Sequence, residues 1–187
     1  MDLVAFVDMA GEGFASYFWS TMAEAGQSPI EIGRQRALRN TGSFTWRNAW
    51  IADIDGAAAG ALIGYVIDDP VDPAEIARTP DLVQPLAELE AEAPGHWYVN
   101  VLAVHPEFRR HGVGAALLAH ADRLGREAGT RGMAIIVASE NDRAVRLYNK
   151  VGYREAARRP LRPFPGYQRG GDWVLLTKPH ASPASGG

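Results

Sequence analysis

The segment richest in chemistry is Val101-Leu102-Ala103-Val104-His105-Pro106-Glu107-Phe108-Arg109-Arg110-His111-Gly112-Val113-Gly114-Ala115. A valine-rich apolar run passes through a proline turn into a stretch with helical spacing. Gly112 and Gly114 stand at the helix entrance, where they let the backbone approach a ligand closely. The first N–H groups of a helix have no partners within it, and the positive end of the helix dipole lies beside them. Together they favour a phosphate. Arg109 and Arg110 add positive charge, and His111 adds more when protonated. The plainer reading is a glycine-softened turn with solvated arginines. Two nucleotide-binding patterns are excluded. A dinucleotide fingerprint needs a third glycine where Leu117 stands, and a P-loop ends in Gly-Lys-Ser/Thr, which the chain lacks.

A second segment, Asn141-Asp142-Arg143-Ala144-Val145-Arg146-Leu147-Tyr148-Asn149-Lys150-Val151-Gly152-Tyr153, has a helix N-cap in Asn141 and a left-handed C-terminal cap in Gly152. Tyr148 falls four residues after Ala144, so periodicity alone makes it a core aromatic with a polar tip.

The frame for these segments is an ordinary globular composition. The chain has 187 residues, 47% hydrophobic and 22% charged, enough for one domain over residues 1–180 with a disordered tail at 181–187. A net charge of −3 gives no general reason to bind nucleic acid. No apolar run approaches the ~18 residues of a membrane span. The start, with Asp2 and Asp8 and no basic stretch, is unlike a secretory signal, so a cytoplasmic location is expected. The absence of cysteine excludes disulfides, thiolate zinc and a covalent cysteine intermediate, and the five histidines lack metal-ligand spacing, so no metal is expected.

Periodicity predicts a helix in Gly-Phe-Ala-Ser-Tyr-Phe-Trp-Ser-Thr-Met-Ala-Glu-Ala-Gly and another over 29–39, behind Ser28 as N-cap and Pro29. Strands are expected at 46–53 and 57–67, joined at Asp55-Gly56 as a hairpin. Residues 68–95 are acidic and proline-rich, with a short helix at 86–91. A strand at 97–104 leads into a helix at 112–128, whose inner face carries Leu117, Ala121, Leu124 and Ala128. A strand at 133–138, a helix at 141–151 and a late strand at 173–177 complete an α/β or α+β domain around a mixed sheet.

Arg109-x-x-Gly112-x-Gly114 resembles the Q/R-x-x-G-x-G/A signature of the GNAT (general control N-acetyltransferase-related) superfamily. Leu102-Ala103-Val104-His105-Pro106 is similar to the L-x-V-x-P that ends the family's fourth strand. Residues 141–153 resemble its N-x-x-A-x-x-L/F-Y-x-x-x-G-F/Y motif. The likeness covers residues 97–153. It implies a three-layer fold with a mixed, mostly antiparallel central sheet flanked by helices, and a splayed pair of fourth and fifth strands. It also implies an acetyl-CoA-dependent N-acetyltransferase that moves the acetyl group directly to a primary amine in a ternary complex.

On that resemblance Arg109, Arg110, His111, Gly112, Val113, Gly114 and Ala115 hold the CoA pyrophosphate. Main-chain groups at Leu102, Ala103 and Val104 serve the pantetheine and the thioester, and Asn141 and Ala144 border the pantetheine arm. Tyr148 points at the sulfur as general acid. A thiol has a pKa near ~8.5, so a nearby phenol can stabilise or protonate the leaving thiolate, while fixed donors stabilise the oxyanion. Tyr98 and Asn100 stand where many members carry a glutamate base, near the amine, and neither is a good base. His96, a water chain, or a carboxylate such as Glu88 or Glu90 are the alternatives.

The chain departs from the family at its front, which opens on residues of helical type: either the usual first strand is absent or the chain starts late. One sheet edge then lacks its partner, and a homodimer is expected to cover exposed surface. The acceptor is a small-molecule or peptide amine, with neither nucleic acid nor membrane as a partner. Asp68, Asp69, Asp72, Glu75 and Asp81 would attract a cationic amine or form a solvated loop. The aromatic cluster Phe14, Tyr17, Phe18 and Trp19 reads as core rather than pocket. An acyl-CoA sensor without turnover and a transferase of longer acyl groups are the competing readings.

Overall fold

At Asp55-Gly56 the backbone turns through φ +52° and +80°, the left-handed pair that a two-residue hairpin of type I′ requires. It joins β1 (Ala49–Ile54) to β2 (Ala57–Val66), and the Asp53 carboxylate accepts a 3.0 Å bond from the Gly56 N–H. The computed structural model describes residues 2–167 and 170–180; the tail expected at 181–187 lies outside the described residues.

The remaining strands are β3 (Trp97–Val104), β4 (Gly132–Ala138), β5 (Arg154–Pro160) and β6 (Asp172–Pro179), in the order β1-β2-β3-β4-β6-β5. Only β3 and β4 run parallel; the other neighbours are antiparallel, and the sheet is open. One face carries α6 (Val113–Glu127) and α7 (Asp142–Lys150) over Trp97, Val99, Met133, Ile135, Val174 and Leu176. The other carries α1 (Leu3–Ala10), α2 (Phe14–Ser20) and α5 (Gln84–Glu90), with α3 (Pro29–Ala37) packed on α1 and α2. The layers are helix, sheet, helix, and the strands' period of two supplies an apolar side chain to each.

Differences from expectation have local causes. The helix expected over 13–26 is realised only as α2, which ends at Ser20, and α1 precedes it across a turn through Glu12 (φ +50°) and Gly13 (φ +90°). The strand expected from 46 begins at Ala49, because Trp46–Asn48 winds into a 3-10 turn capped by Thr45. Within α6, Leu117 and Ala121 are buried as expected, but Ala128 is the exposed C-cap; Gly125 takes the inner position instead. Two elements carry no apolar periodicity and escape a sequence reading: α4 (Pro73–Ala77), capped by Asp72, and the strand β5, whose sequence is Arg-Glu-Ala-Ala-Arg-Arg-Pro.

Among the described residues no strand precedes Ala49, and β1 is an outer strand of the sheet. The helical front end is not loose. Asp2 caps α1 through the Ala5 N–H (3.0 Å) and pairs with Arg34 of α3 (2.9 Å). Phe6 is fully buried against Ala61 of β2 and Ala103 of β3. No described helix is long and apolar enough to cross a membrane.

Two glycines set how closely the layers approach around Trp97. A Cβ at Gly64 would lie 2.0–2.7 Å from atoms of the Trp97 ring, and one at Gly125 would meet Trp97 Cβ at 3.1 Å. Trp97 is buried and 6.0 Å from the Trp50 ring, so it has nowhere to retreat. Gly64→Ala should therefore destabilise the fold by about 1–3 kcal/mol, read as a lower denaturation midpoint at unchanged m-value.

Candidate active site

The site originates in a strand defect. In the β2–β3 ladder Gly64 pairs with Val99 and Ile63 with Val101, leaving Asn100 as the extra residue of a β-bulge. The bulge bends β3 away from β4. Their parallel pairing covers only Trp97, Tyr98 and Val99 against Met133, Ala134 and Ile135, and beyond that the strands splay. A cavity of about 470 Å³ occupies the gap, between Leu102 and Val104 on one side and Ile136 and Ala138 on the other. The β4-facing edge of β3 has no strand partner there, so its main-chain groups remain available to a ligand.

Alternation decides which predicted β3 residues reach this cavity. Leu102 and Val104 line it, whereas Ala103 points its side chain to the opposite face and is buried against Phe6. Only the main chain of Ala103 can serve a ligand.

At the far end, the turn into α6 passes through Arg110 (φ +67°) and Gly112 (φ +82°), the N-cap. The first intrahelical bond runs from Ala116 N–H to Gly112 C=O (2.9 Å), which leaves the N–H groups of Val113, Gly114 and Ala115 facing out of the helix. No side chain caps them, and no atom lies within 4 Å of where a Gly112 Cβ would stand. Arg109, Arg110, Gly112, Val113, Gly114 and Ala115 all line the cavity, while His111 is exposed outside it. Arg109 folds back, its Nε donating to the Val104 carbonyl (3.3 Å), so it ties the turn to the end of β3.

The opposite wall is α7. Asn141 accepts the Ala144 N–H through its side-chain oxygen (3.1 Å), which makes it the N-cap. Its amide N–H groups are what remain for a ligand. Ala144, Leu147 and Tyr148 follow along the same wall. Tyr148 is buried, 6.0 Å from the Tyr153 ring, and burial holds its phenol well above the ordinary value. It therefore keeps its proton at neutral pH and has a hydrogen to donate. Arg143, which also lines the cavity, was missed; a basic residue in a first helical turn carries no distinguishing sequence signal.

Across β3 lies a second cavity of about 390 Å³, lined by Tyr98, Tyr65, Glu90, Phe14, Phe18 and Arg36 among others. Both cavities are lined by Ala10, Gly11, Asn100, Ile136 and Trp173, so they meet at the bulge. Phe14 and Phe18 thus wall a cavity that the sequence assigned to core. Phe14 also packs edge-on against Phe164 (5.3 Å) and Trp173 (5.6 Å).

Of the carboxylates considered as base, Glu88 pairs with Arg159 (3.2 Å), while Glu90 reaches the second cavity and accepts a 2.8 Å bond from the Tyr65 hydroxyl. Burial pushes Glu90 up to about 7; the Tyr65 bond opposes this and Asp68 adds to it. Tyr98 is pushed well above its ordinary value by burial, then by Glu90, so its phenol stays neutral. His96, at the start of β3 with its ring beside the Pro94 carbonyl (3.3 Å), lines neither cavity. The acidic stretch divides. Asp68, Asp72 and Glu75 line an outer cavity that shares Tyr65 and Glu90 with the second, while Asp69 pairs with Arg131 and Asp81 with Arg162.

Comparison with known proteins adds to this geometry. The model of the acetyltransferase (GNAT) family matches residues 15–153, more than half of the chain. No curated protein matches the sequence significantly. Among solved structures, an acetyltransferase superposes over 95% of this chain and 93% of its own, with TM-score 0.62 and 17% identity. The ribosomal-protein-S18-alanine N-acetyltransferase from Escherichia coli does so over 92% and 91%, with TM-score 0.52 and 19% identity. An acetyltransferase from Bacillus anthracis str. Ames, in complex with acetyl coenzyme A, covers 70% of this chain and 61% of its own, with TM-score 0.50 and 16% identity. At these identities the likeness is one of fold.

The cap at Asn141 gives a test of what holds the α7 wall. Asn141→Ala should cost about 0.5–2 kcal/mol in thermal or chemical unfolding, whereas Asn141→Asp, an equally good N-cap, should retain most of the stability.

Proposed function

The chain belongs to the GNAT acetyltransferase family, and we propose that it transfers the acetyl group of acetyl-CoA directly to a primary amine within a ternary complex. The observation that carries this reading is the pairing of two features in one cavity: a helix N-terminus left open at Gly112, and a buried neutral phenol at Tyr148.

Acetyl-CoA supplies an acetyl group activated as a thioester. The N–H groups of Val113, Gly114 and Ala115, with the dipole of α6 and the charge of Arg110, form the cradle for its pyrophosphate. Support comes from the open space at Gly112, where nothing lies within 4 Å of an added Cβ and the left-handed φ of +82° favours glycine. Unpaired main-chain groups of β3 around Leu102–Val104 bind the pantetheine as a further strand would, and the Asn141 amide N–H groups lie beside them. Donors from the same edge stabilise negative charge on the carbonyl oxygen. Tyr148 gives its proton to the departing sulfur. A phenol raised by burial is a weak acid in the resting protein, but the thiolate's growing charge draws the proton as the C–S bond breaks. With no cysteine in the chain, a cysteine acyl-enzyme is excluded and direct attack by the amine is the simplest path.

Two outcomes test this. Gly112→Asp sets a carboxylate against the phosphates and removes charge-assisted bonds worth about 1.5–3 kcal/mol each, so calorimetry should show acetyl-CoA affinity falling on the order of 10- to 100-fold. Unchanged affinity in the folded variant would remove the cradle. Tyr148→Phe keeps the ring and its packing, and should lower the single-turnover rate ~10²–10⁴-fold with acetyl-CoA affinity little changed. A wild-type rate would make Tyr148 a packing residue.

A further inference from the structure

The acetyl-transfer reading leaves the amine's proton without a destination, and the second cavity supplies one. Among the described residues that line it, Glu90 is the only carboxylate. Its position is fixed by the Tyr65 hydroxyl at 2.8 Å, and the Tyr65 ring meets Tyr98 edge-on at 5.5 Å. Tyr98, buried at 3% exposure, lines the same cavity as Glu90. Asn100, at the bulge, faces both cavities. The second cavity, the inner one, thus meets the first at the bulge, where the thioester would lie, and carries an accepting group on its wall.

The rest of that wall limits the substrate. Phe14, Phe18, Tyr98 and Trp173 offer ring faces and edges, which suit an apolar or aromatic body. Arg36 of α3 shares the wall, with its Nε buried and lacking a hydrogen-bond partner, and its charge opposes a second ammonium group. We propose that Glu90 is the proton acceptor for the acceptor amine, and that this cavity takes a monoamine carried on an aromatic or similarly apolar body; the proposal rests on the acetyl-transfer reading.

The proton balance closes. An alkylamine has a pKa near ~10 and arrives as an ammonium ion, which gives one proton to the Glu90 carboxylate, directly or through one water. The freed nitrogen lone pair forms the C–N bond to the acetyl carbon, and the C–S bond breaks. The nitrogen's second proton leaves through water and replaces the one that Tyr148 gives to sulfur. Glu90 then releases its proton toward the outer cavity, where Asp68, Asp72 and Glu75 face solvent. The groups that face Glu90 are Tyr65 from β2, Tyr98 from β3, Asp68 after β2, Asp72 and Glu75 around α4, and Arg36 across the inner cavity. Ionisation near 7 means that activity should be lost as pH falls through that value.

The test uses the full chain, acetyl-CoA and 2-phenylethylamine as probe, with spermidine as the polycationic comparison, and follows thiol release from pH 6 to 9. Calorimetry with acetyl-CoA and thermal unfolding accompany each variant. The wild type should prefer 2-phenylethylamine by kcat/KM, with a step near pH 7. Glu90→Gln should lower kcat/KM about 100-fold and abolish the step, with acetyl-CoA affinity retained. Tyr65→Phe removes the bond that positions Glu90 and stabilises its charged form, so it should lower kcat/KM at pH 7 and move the step upward; this arm decides the matter if Glu90→Gln fails to fold. A Glu90→Gln protein with the wild-type rate and pH profile overturns the proposal, as does an unmoved step in Tyr65→Phe. A wild type that binds acetyl-CoA but prefers spermidine, or does not turn over the probe, overturns the substrate class. A wild type that does not bind acetyl-CoA overturns the acetyl-transfer reading itself.

Discussion

The site depends on one constraint: β3 cannot pair with both neighbours along its whole length. The extra residue at Asn100 keeps β3 in register with β2 on both sides of the bulge while turning its far half away from β4. That single insertion opens the gap, exposes a row of backbone donors and acceptors, and leaves a cavity at the centre of the sheet. In an unbroken sheet these groups would be paired to β4, and there would be no place for a ligand between the strands. Both cavities meet at this defect, so the sheet's interruption also connects them.

The bulge is tolerated because the layers around it are closely held. Glycine at 64 and 125 lets Trp97 fill the space between α6 and the sheet just before the bulge. A Cβ at Gly60 would stand 2.8 Å from the Ala103 carbonyl and 3.1 Å from Leu117 and Val113, so Gly60 lets α6 settle onto the strands beyond the bulge. The N-terminus of α6 is thereby aimed at the gap. On the opposite face α1 lays Phe6 across β2 and β3, which braces the splayed half of β3 from behind.

Burial also sorts the ionisable groups by role. Tyr148, Tyr98 and Tyr65 are all pushed above the ordinary phenol value, with desolvation the largest cause, so each keeps its proton near neutral pH. Glu90 in the same environment is raised only to about 7, because the Tyr65 hydroxyl stabilises its charged form. One desolvated interior therefore contains donors that do not ionise near neutral pH and a carboxylate that does.

The sequence by itself determined the family, the strand–turn–helix at 97–127 and the helix at 142–150, because those elements are long, periodic and capped by residues with restricted conformations. Gly112, Asn141, Gly152 and Asp55-Gly56 are legible for the same reason: left-handed or capping positions accept few residue types. The polar strand β5 and the five-residue α4 were not legible, since neither buries an apolar stripe. Only the tertiary structure decided which side chains converge. Glu88 and Glu90 are two residues apart on one short helix, and its turn sends the first to Arg159 and the second to Tyr65. Tyr65 lies 25 residues before Glu90 and meets it and Tyr98 through the β2–β3 register and the packing of α5. Such proximity is set by long-range pairing, and local sequence carries no record of it.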